Sequence, residues 1–133
     1  MRSLFFVCIF LIAGRSAAAQ TIFHLQEVVV PEDAGNIYVQ KLSEDTLTSS
    51  YFIQVRDTVR RHYHAHHTEQ IFVLEGSGIM FIGTENHEIQ AGDYFLIPVG
   101  TEHAVRSTGN VPLQVLSIQS PFFDGKDRIF TDE

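Results

Sequence analysis

The sequence predicts an all-β fold, a small sandwich or barrel, and three observations carry that expectation. Short runs rich in β-branched and aromatic residues recur along the chain. Turn signals containing Gly, Pro or Asn separate them about every ten residues. No window sustains an apolar period of about 3.6 residues, so helices are expected to be absent or trivial.

The first element is not part of that fold. Arg2 supplies a positive start, Leu4 to Ala13 form an apolar run, and Ala17-Ala18-Ala19 present small side chains at its exit. This pattern identifies residues 1–19 as a secretory signal peptide, with cleavage expected between Ala19 and Gln20 and a periplasmic or secreted destination. A membrane anchor is the weaker alternative, because ten residues at about 1.5 Å each fall well short of a roughly 30 Å hydrocarbon core.

Residues 20–49 are assigned to N-terminal strands or an extension, 50–120 to a β-barrel core and 121–133 to a C-terminal tail. Within the core, Tyr51 to Arg56 is the first β-rich run, Ile71 to Leu74 the next and Ile79 to Ile82 another. Tyr94 to Ile97, Ala104 to Arg106 and Leu113 to Ile118 continue the series. Turns are expected at Glu75-Gly76-Ser77-Gly78, Gly83 to Asn86, Gln90 to Asp93, Pro98-Val99-Gly100 and Thr108-Gly109-Asn110. Gly76 and Gly78 would permit a tight hairpin, and Gly92 and Gly100 backbone conformations with positive φ.

Composition narrows the function. The 133 residues carry 9 basic and 16 acidic side chains, a net charge of −7, with 44% hydrophobic residues. That balance is globular, and it argues against a nucleic-acid partner, which needs a basic face. No polybasic cluster suggests a membrane surface once the leader is gone. The single cysteine, Cys8, lies in the leader, so neither a disulfide nor a thiolate metal cage is expected.

The chemistry is concentrated in Arg60-Arg61-His62-Tyr63-His64-Ala65-His66-His67-Thr68-Glu69. Residues two apart on an extended strand share a face, so His62 and His64 point the same way, about 6.5 Å apart along it. Their ring nitrogens can converge on one ion. Glu69 follows after four residues, enough for the chain to turn back, and His103 comes just after the Pro98-Val99-Gly100 turn. Three imidazoles and a carboxylate suit Mn, Fe, Ni, Cu or Zn and make a poor cage for Ca or Mg. The bland reading of the segment is a tract of exposed histidines.

The spacing shifts that balance. His62-x-His64, four residues, Glu69, six residues, Gly76 resembles the first motif of the cupins. Gly92, five residues, Pro98-x-Gly100, two residues, His103 resembles the second, fifteen residues further on. The resemblance covers roughly Ser50 to Ser120. It implies a double-stranded β-helix (jelly-roll) barrel with one divalent transition metal near its mouth, held by His62, His64, Glu69 and His103. One departure is visible: Ser107 stands where the second motif usually carries Asn. The alternative pair His64-x-His66 leaves only two residues before Glu69, too few for the pattern.

Around that site, His66, His67, Glu102 and Tyr94 are the candidate acid/base or substrate-contacting groups. The plainer expectation for His66 and His67 is a solvated loop. Arg60 shares the face of His62 and is the candidate for steering an anionic substrate, although the plainer expectation is a solvated or ion-paired arginine. Tyr63 should face away from the metal and pack. His24 and His87 are expected at the surface, and the Phe122 to Arg128 stretch to cap the barrel or meet a second subunit.

Three functions follow. The metal acts as a Lewis acid in isomerase- or lyase-type chemistry on a sugar, uronate or organic acid. Or the chain is a non-catalytic module that binds a small molecule or carbohydrate with the metal's help. Or the metal is Fe(II) and the chain a dioxygenase. A homodimer is expected, since uncovered strand edges favour pairing.

Overall fold

The computed structural model describes residues 22–131, so the expected leader and its cleavage site lie outside the described residues. A single 3-10 turn, Leu25–Glu27, precedes ten strands. These are β1 (Ile37–Glu44), β2 (Ser49–Val55), β3 (Thr58–Tyr63), β4 (Thr68–Glu75) and β5 (Ser77–Ile82), then β6 (Glu85–Gln90), β7 (Tyr94–Ile97), β8 (His103–Ser107), β9 (Leu113–Ser120) and β10 (Ile129–Phe130). They form two five-stranded antiparallel sheets, ordered β1-β2-β9-β4-β7 and β10-β3-β8-β5-β6.

The alternation expected of half-buried strands is plainest in β9, where Leu113, Val115, Ser117 and Gln119 turn inward and the residues between them do not. Val55, Ile71, Val73, Met80, Ile89, Ile97, Leu113 and Val115 fill the space between the sheets. Each such side chain contributes about 1.5–3 kcal/mol when fully buried.

Among the described strands the chain changes sheet seven times, after β2, β3, β4, β6, β7, β8 and β9. One of these crossings corrects the expected hairpin at Gly76 and Gly78, because β4 and β5 belong to different sheets and do not pair. Gly76 is instead a corner with φ 80°, where an added Cβ would meet the Pro112 carbonyl oxygen at 2.7 Å. The tight hairpin lies one strand later, at Gly83 between β5 and β6. Strands β1, β3, β6 and β10 add to the expected runs. The edge strand β6 buries only Ile89 and so shows no two-residue apolar pattern.

Candidate metal centre

Register brings the two halves of the site together. His62 near the end of β3 pairs directly with His103 at the start of β8, and their ring centroids are 4.2 Å apart. His64 follows one residue beyond β3. Its backbone oxygen accepts a hydrogen bond from the Gly100 N–H at 2.7 Å, which hooks the Pro98-Val99-Gly100 turn onto the segment carrying the other histidines. Gly100 makes this turn with φ 74°, a conformation that side chains oppose. Glu69 comes from the opposite sheet, on β4 between β9 and β7.

One nitrogen from each of His62, His64 and His103 lies within 4.8 Å of the others, and all three residues are buried. Glu69 Oε2 sits 3.4 Å from both His64 Nε2 and His103 Nε2. Two ligands about 2.1 Å from one ion and roughly at right or tetrahedral angles lie about 3.0–3.5 Å from each other.

Hydrogen bonding gives each ring an orientation. His62 Nδ1 donates to the Arg60 carbonyl at 2.7 Å, His103 Nδ1 to the Thr101 carbonyl at 2.9 Å, and His64 Nδ1 to the Asp127 carbonyl. A carbonyl only accepts, so in each neutral ring the proton sits on Nδ1 and the lone pair on Nε2. His64 Nε2 and His103 Nε2 are buried with no hydrogen-bond partner. Glu69 is divided likewise. Its Oε1 accepts from the Ser117 hydroxyl and from Gln119 Nε2, leaving Oε2 for the imidazoles. Orphaned, converging lone pairs backed by carbonyls are what a divalent transition metal requires.

The electrostatics agree with that description. Burial pushes the Glu69 carboxyl up, but the imidazoles of His103 and His64, with Ser117, hold it well below the usual carboxylate range. Burial, and then His103, push His62 down to about 4, so its ring is neutral near pH 7. His64 is raised despite its burial, because the Glu69 carboxylate and the Asp127 carbonyl favour its protonated form.

The other candidates fare differently. His66 is exposed, and His24 and His87 lie at the surface as expected. His67 corrects its expected solvated position: it is 7% exposed, with Nδ1 on the Asp127 carboxylate and Nε2 on the Phe122 carbonyl. With both nitrogens engaged, it braces the C-terminal segment and is not poised as a base. Tyr94 is 60% exposed, with its hydroxyl on Gln70 Oε1, and does not line the central cavity. Glu102 lies 3.8 Å from Arg61 and is likewise absent from the cavity wall. Arg60 stacks over Phe130, its guanidinium carbon 4.7 Å from the ring centroid, and does not reach the cavity. Tyr63 is half-buried and pairs with Ile129.

Sequence reasoning missed the groups around the ligands. Ser117 and Gln119 were legible in principle, as polar residues on the inward face of an otherwise apolar strand. For Asp127, Arg128 and Phe123 the sequence offered only the expectation that the Phe122 to Arg128 stretch caps the barrel or meets a second subunit, with no role for any one residue. The C-terminal segment caps the site: Phe123 is buried against His64 and His67, and the Asp127 carboxylate accepts from the N–H groups of Ala65 and His66. A cavity of about 70 Å³ runs between the sheets from the site, lined by His62, Glu69, His103, Arg128 and otherwise almost wholly by aliphatic side chains.

Comparison with known proteins places these features in context. The family model described as a cupin domain matches residues 51–119. An uncharacterized protein of Aquifex aeolicus is 34% identical over 106 residues, covering 77% of this chain and 87% of its own. A quercetin 2,3-dioxygenase of Bacillus subtilis is 32% identical over 71 residues, 50% of this chain and 21% of that one. A mannose-1-phosphate guanylyltransferase of Klebsiella pneumoniae is 33% identical over 66 residues, 50% of this chain and only 14% of that one.

Among solved structures, a double-stranded β-helix protein of Klebsiella pneumoniae superposes with a TM-score of 0.72 at 19% identity, over 86% of this chain and 100% of its own. KdgF from Halomonas superposes at 0.69 and 18% identity, over 80% and 97%. At such identities the likeness establishes the fold alone, a double-stranded β-helix.

Proposed function

The chain belongs to the cupin family, and from that premise we propose that it is a metal-binding cupin acting on a small oxygen-rich molecule, a sugar, uronate or organic acid, by isomerase- or lyase-type chemistry. One observation carries the reading: the donor atoms of His62, His64, His103 and Glu69 converge from both sheets, each histidine with its Nδ1 bound to a carbonyl. A divalent Mn, Fe, Ni, Cu or Zn ion held there supplies Lewis acidity toward a substrate oxygen.

The protein's own contribution is orientation and exclusion of water. Ser117 and Gln119 fix the Glu69 carboxylate, and Phe123 packs against the His64 ring. The aliphatic wall keeps the effective dielectric low around the ligands, which strengthens every charge interaction there.

A second reading, a non-catalytic module that binds its ligand through the metal, has one specific support. Beyond the proposed ligands, the cavity wall carries no imidazole or carboxylate among the described residues, hence no separate general base. The third, an Fe(II) dioxygenase, is supported by the Bacillus subtilis relative. Export, resting on residues 1–19, and a homodimer, supported by exposed Val39 and Ile37 on the edge strand β1, belong to the same proposal.

The test is metal content by mass spectrometry of the purified protein beside the His62→Ala/His64→Ala, His103→Ala and His66→Ala variants. About one equivalent is expected in the wild type and in His66→Ala, and none in the others. Stoichiometric metal in His103→Ala would overturn the assignment, and an empty site in His66→Ala would mean the wrong histidine pair was chosen.

A further inference from the structure

The proposal above leaves the ligand open among sugars, uronates and organic acids, and the cavity discriminates between them. We propose that it takes a short apolar carboxylate, with the carboxylate held by Arg128 beside the histidine cluster and the hydrocarbon body between the sheets. This rests on the cupin reading only for the neighbourhood of the head group.

A sugar carries a hydroxyl on nearly every carbon. Each one withdrawn from water without a partner costs about 1–3 kcal/mol. The cavity has few partners to give. His62 Nδ1 and His103 Nδ1 are taken by the carbonyls of Arg60 and Thr101, and Glu69 Oε1 by Ser117 and Gln119. Beyond those residues the wall is made of side chains such as Ile53, Ile71, Met80 and Val105, which offer no hydrogen bond. Such a surface rewards burial of methylene groups at about 0.8 kcal/mol each and penalises hydroxyls.

Among the described residues, Arg128 supplies the one arginine or lysine in the wall. It is exposed, and no carboxylate pairs with it among the described residues. It lines the same cavity as His62, Glu69 and His103. Its backbone is fixed on both sides. Asp127 before it is tied to Ala65, His66, His67 and His64, and Ile129 after it pairs with Tyr63 in β10. A guanidinium presents two parallel N–H donors that match a carboxylate, and an anchored backbone lowers the entropy lost when that fork closes. Among the described residues Glu69 is the only anionic group lining the cavity, so a divalent ion held there together with Arg128 would leave the pocket net positive and favour an anionic head.

The test is calorimetric titration of the purified protein, metal-free and metal-loaded, with hexanoate, gluconate and 1-hexanol. Hexanoate and gluconate share charge and carbon number and differ in hydroxylation, while 1-hexanol keeps the body and loses the charge. Hexanoate is expected to bind at least about tenfold more tightly than either. Arg128→Gln should remove that advantage over 1-hexanol with metal content and melting temperature unchanged, and Arg128→Lys should restore only part of it. Gluconate binding as tightly as hexanoate would overturn the proposal, as would full hexanoate affinity in Arg128→Gln. If the protein holds no metal yet hexanoate binding still depends on Arg128, the metal reading fails and this one stands.

Discussion

Replacing Asp127 by alanine tests whether the C-terminal segment is a structural part of the site. The carboxylate accepts hydrogen bonds from the N–H of Ala65 at 2.9 Å, the N–H of His66 at 2.8 Å and His67 Nδ1. Bonds to a charged acceptor are worth about 1.5–3 kcal/mol each. His66 is exposed, so its N–H regains water in the variant. Ala65 is half-buried and His67 buried, and they regain less. Taking those two at the low end gives a loss of about 3 kcal/mol. In a domain of this size about 1 kcal/mol corresponds to roughly 4 °C, so the melting temperature should fall by about 12 °C.

The assay is thermal unfolding of the metal-free protein followed by circular dichroism, with Asp127→Asn as a control that keeps one accepting oxygen and should fall between. A second measurement is metal affinity by chelator competition. The Asp127 carbonyl accepts from His64 Nδ1, so loosening this segment should weaken metal binding about tenfold or more. A drop of less than about 3 °C with unchanged metal affinity would refute the reasoning. The acid limb adds a signature. Burial pushes the Asp127 carboxyl up, but His67 and the N–H groups of His66 and Ala65 hold it down at about 2. A carboxylate with a depressed pKa contributes stability that is complete above its unfolded value and is lost as pH falls toward 2, so the gap between wild type and Asp127→Ala should narrow from pH 4 downward.

Two further outcomes are expected. Ser117→Ala removes a hydroxyl that holds Glu69 Oε1 and should lower metal affinity about 10- to 100-fold while leaving the fold intact, read by chelator competition beside circular dichroism. His62 is held neutral down to about 4, whereas an unfolded histidine takes its proton near 6.5. The unfolded chain therefore binds more protons between those values, and the metal-free wild type should gain stability over His62→Gln as pH rises through that window, by up to about 1.4 kcal/mol per pH unit. A flat difference in urea midpoints across the window would contradict it.

Much of the fold was legible because β-rich runs such as Leu113 to Ile118 alternate with the inward face, and alternation is a local property. Strand β6 was not, since a solvated edge with one buried residue leaves no pattern. The destination of a turn was equally hidden: Gly76 signals a positive φ but cannot say whether the chain folds back on its own sheet or crosses to the other. The four proposed ligands were legible through fixed spacing, because they lie on or next to β3, β4 and β8 at definite places along the chain. Their supports were not. Asp127 lies 63 residues from His64, and only tertiary packing brings its carbonyl to that ring. The acid/base candidates failed for a related reason. Nearness in sequence to a ligand puts His67 and Glu102 on the same loops as the site, while the side chains turn to Asp127 and Arg61.

The distance along the chain between His64 and Asp127 also sets an order of events in the making of the protein. All four proposed ligands have been synthesised by residue 103, yet the group that orients one of them arrives only at 127. A nascent chain therefore presents the His64 imidazole without the carbonyl that fixes its tautomer, whereas His62 and His103 find theirs two residues away at Arg60 and Thr101. Full orientation of the site has to wait for the segment around Asp127 to be laid across it. Loosening of that segment would then surface first as a fault in metal loading, in a barrel whose strands β1 to β9 are intact.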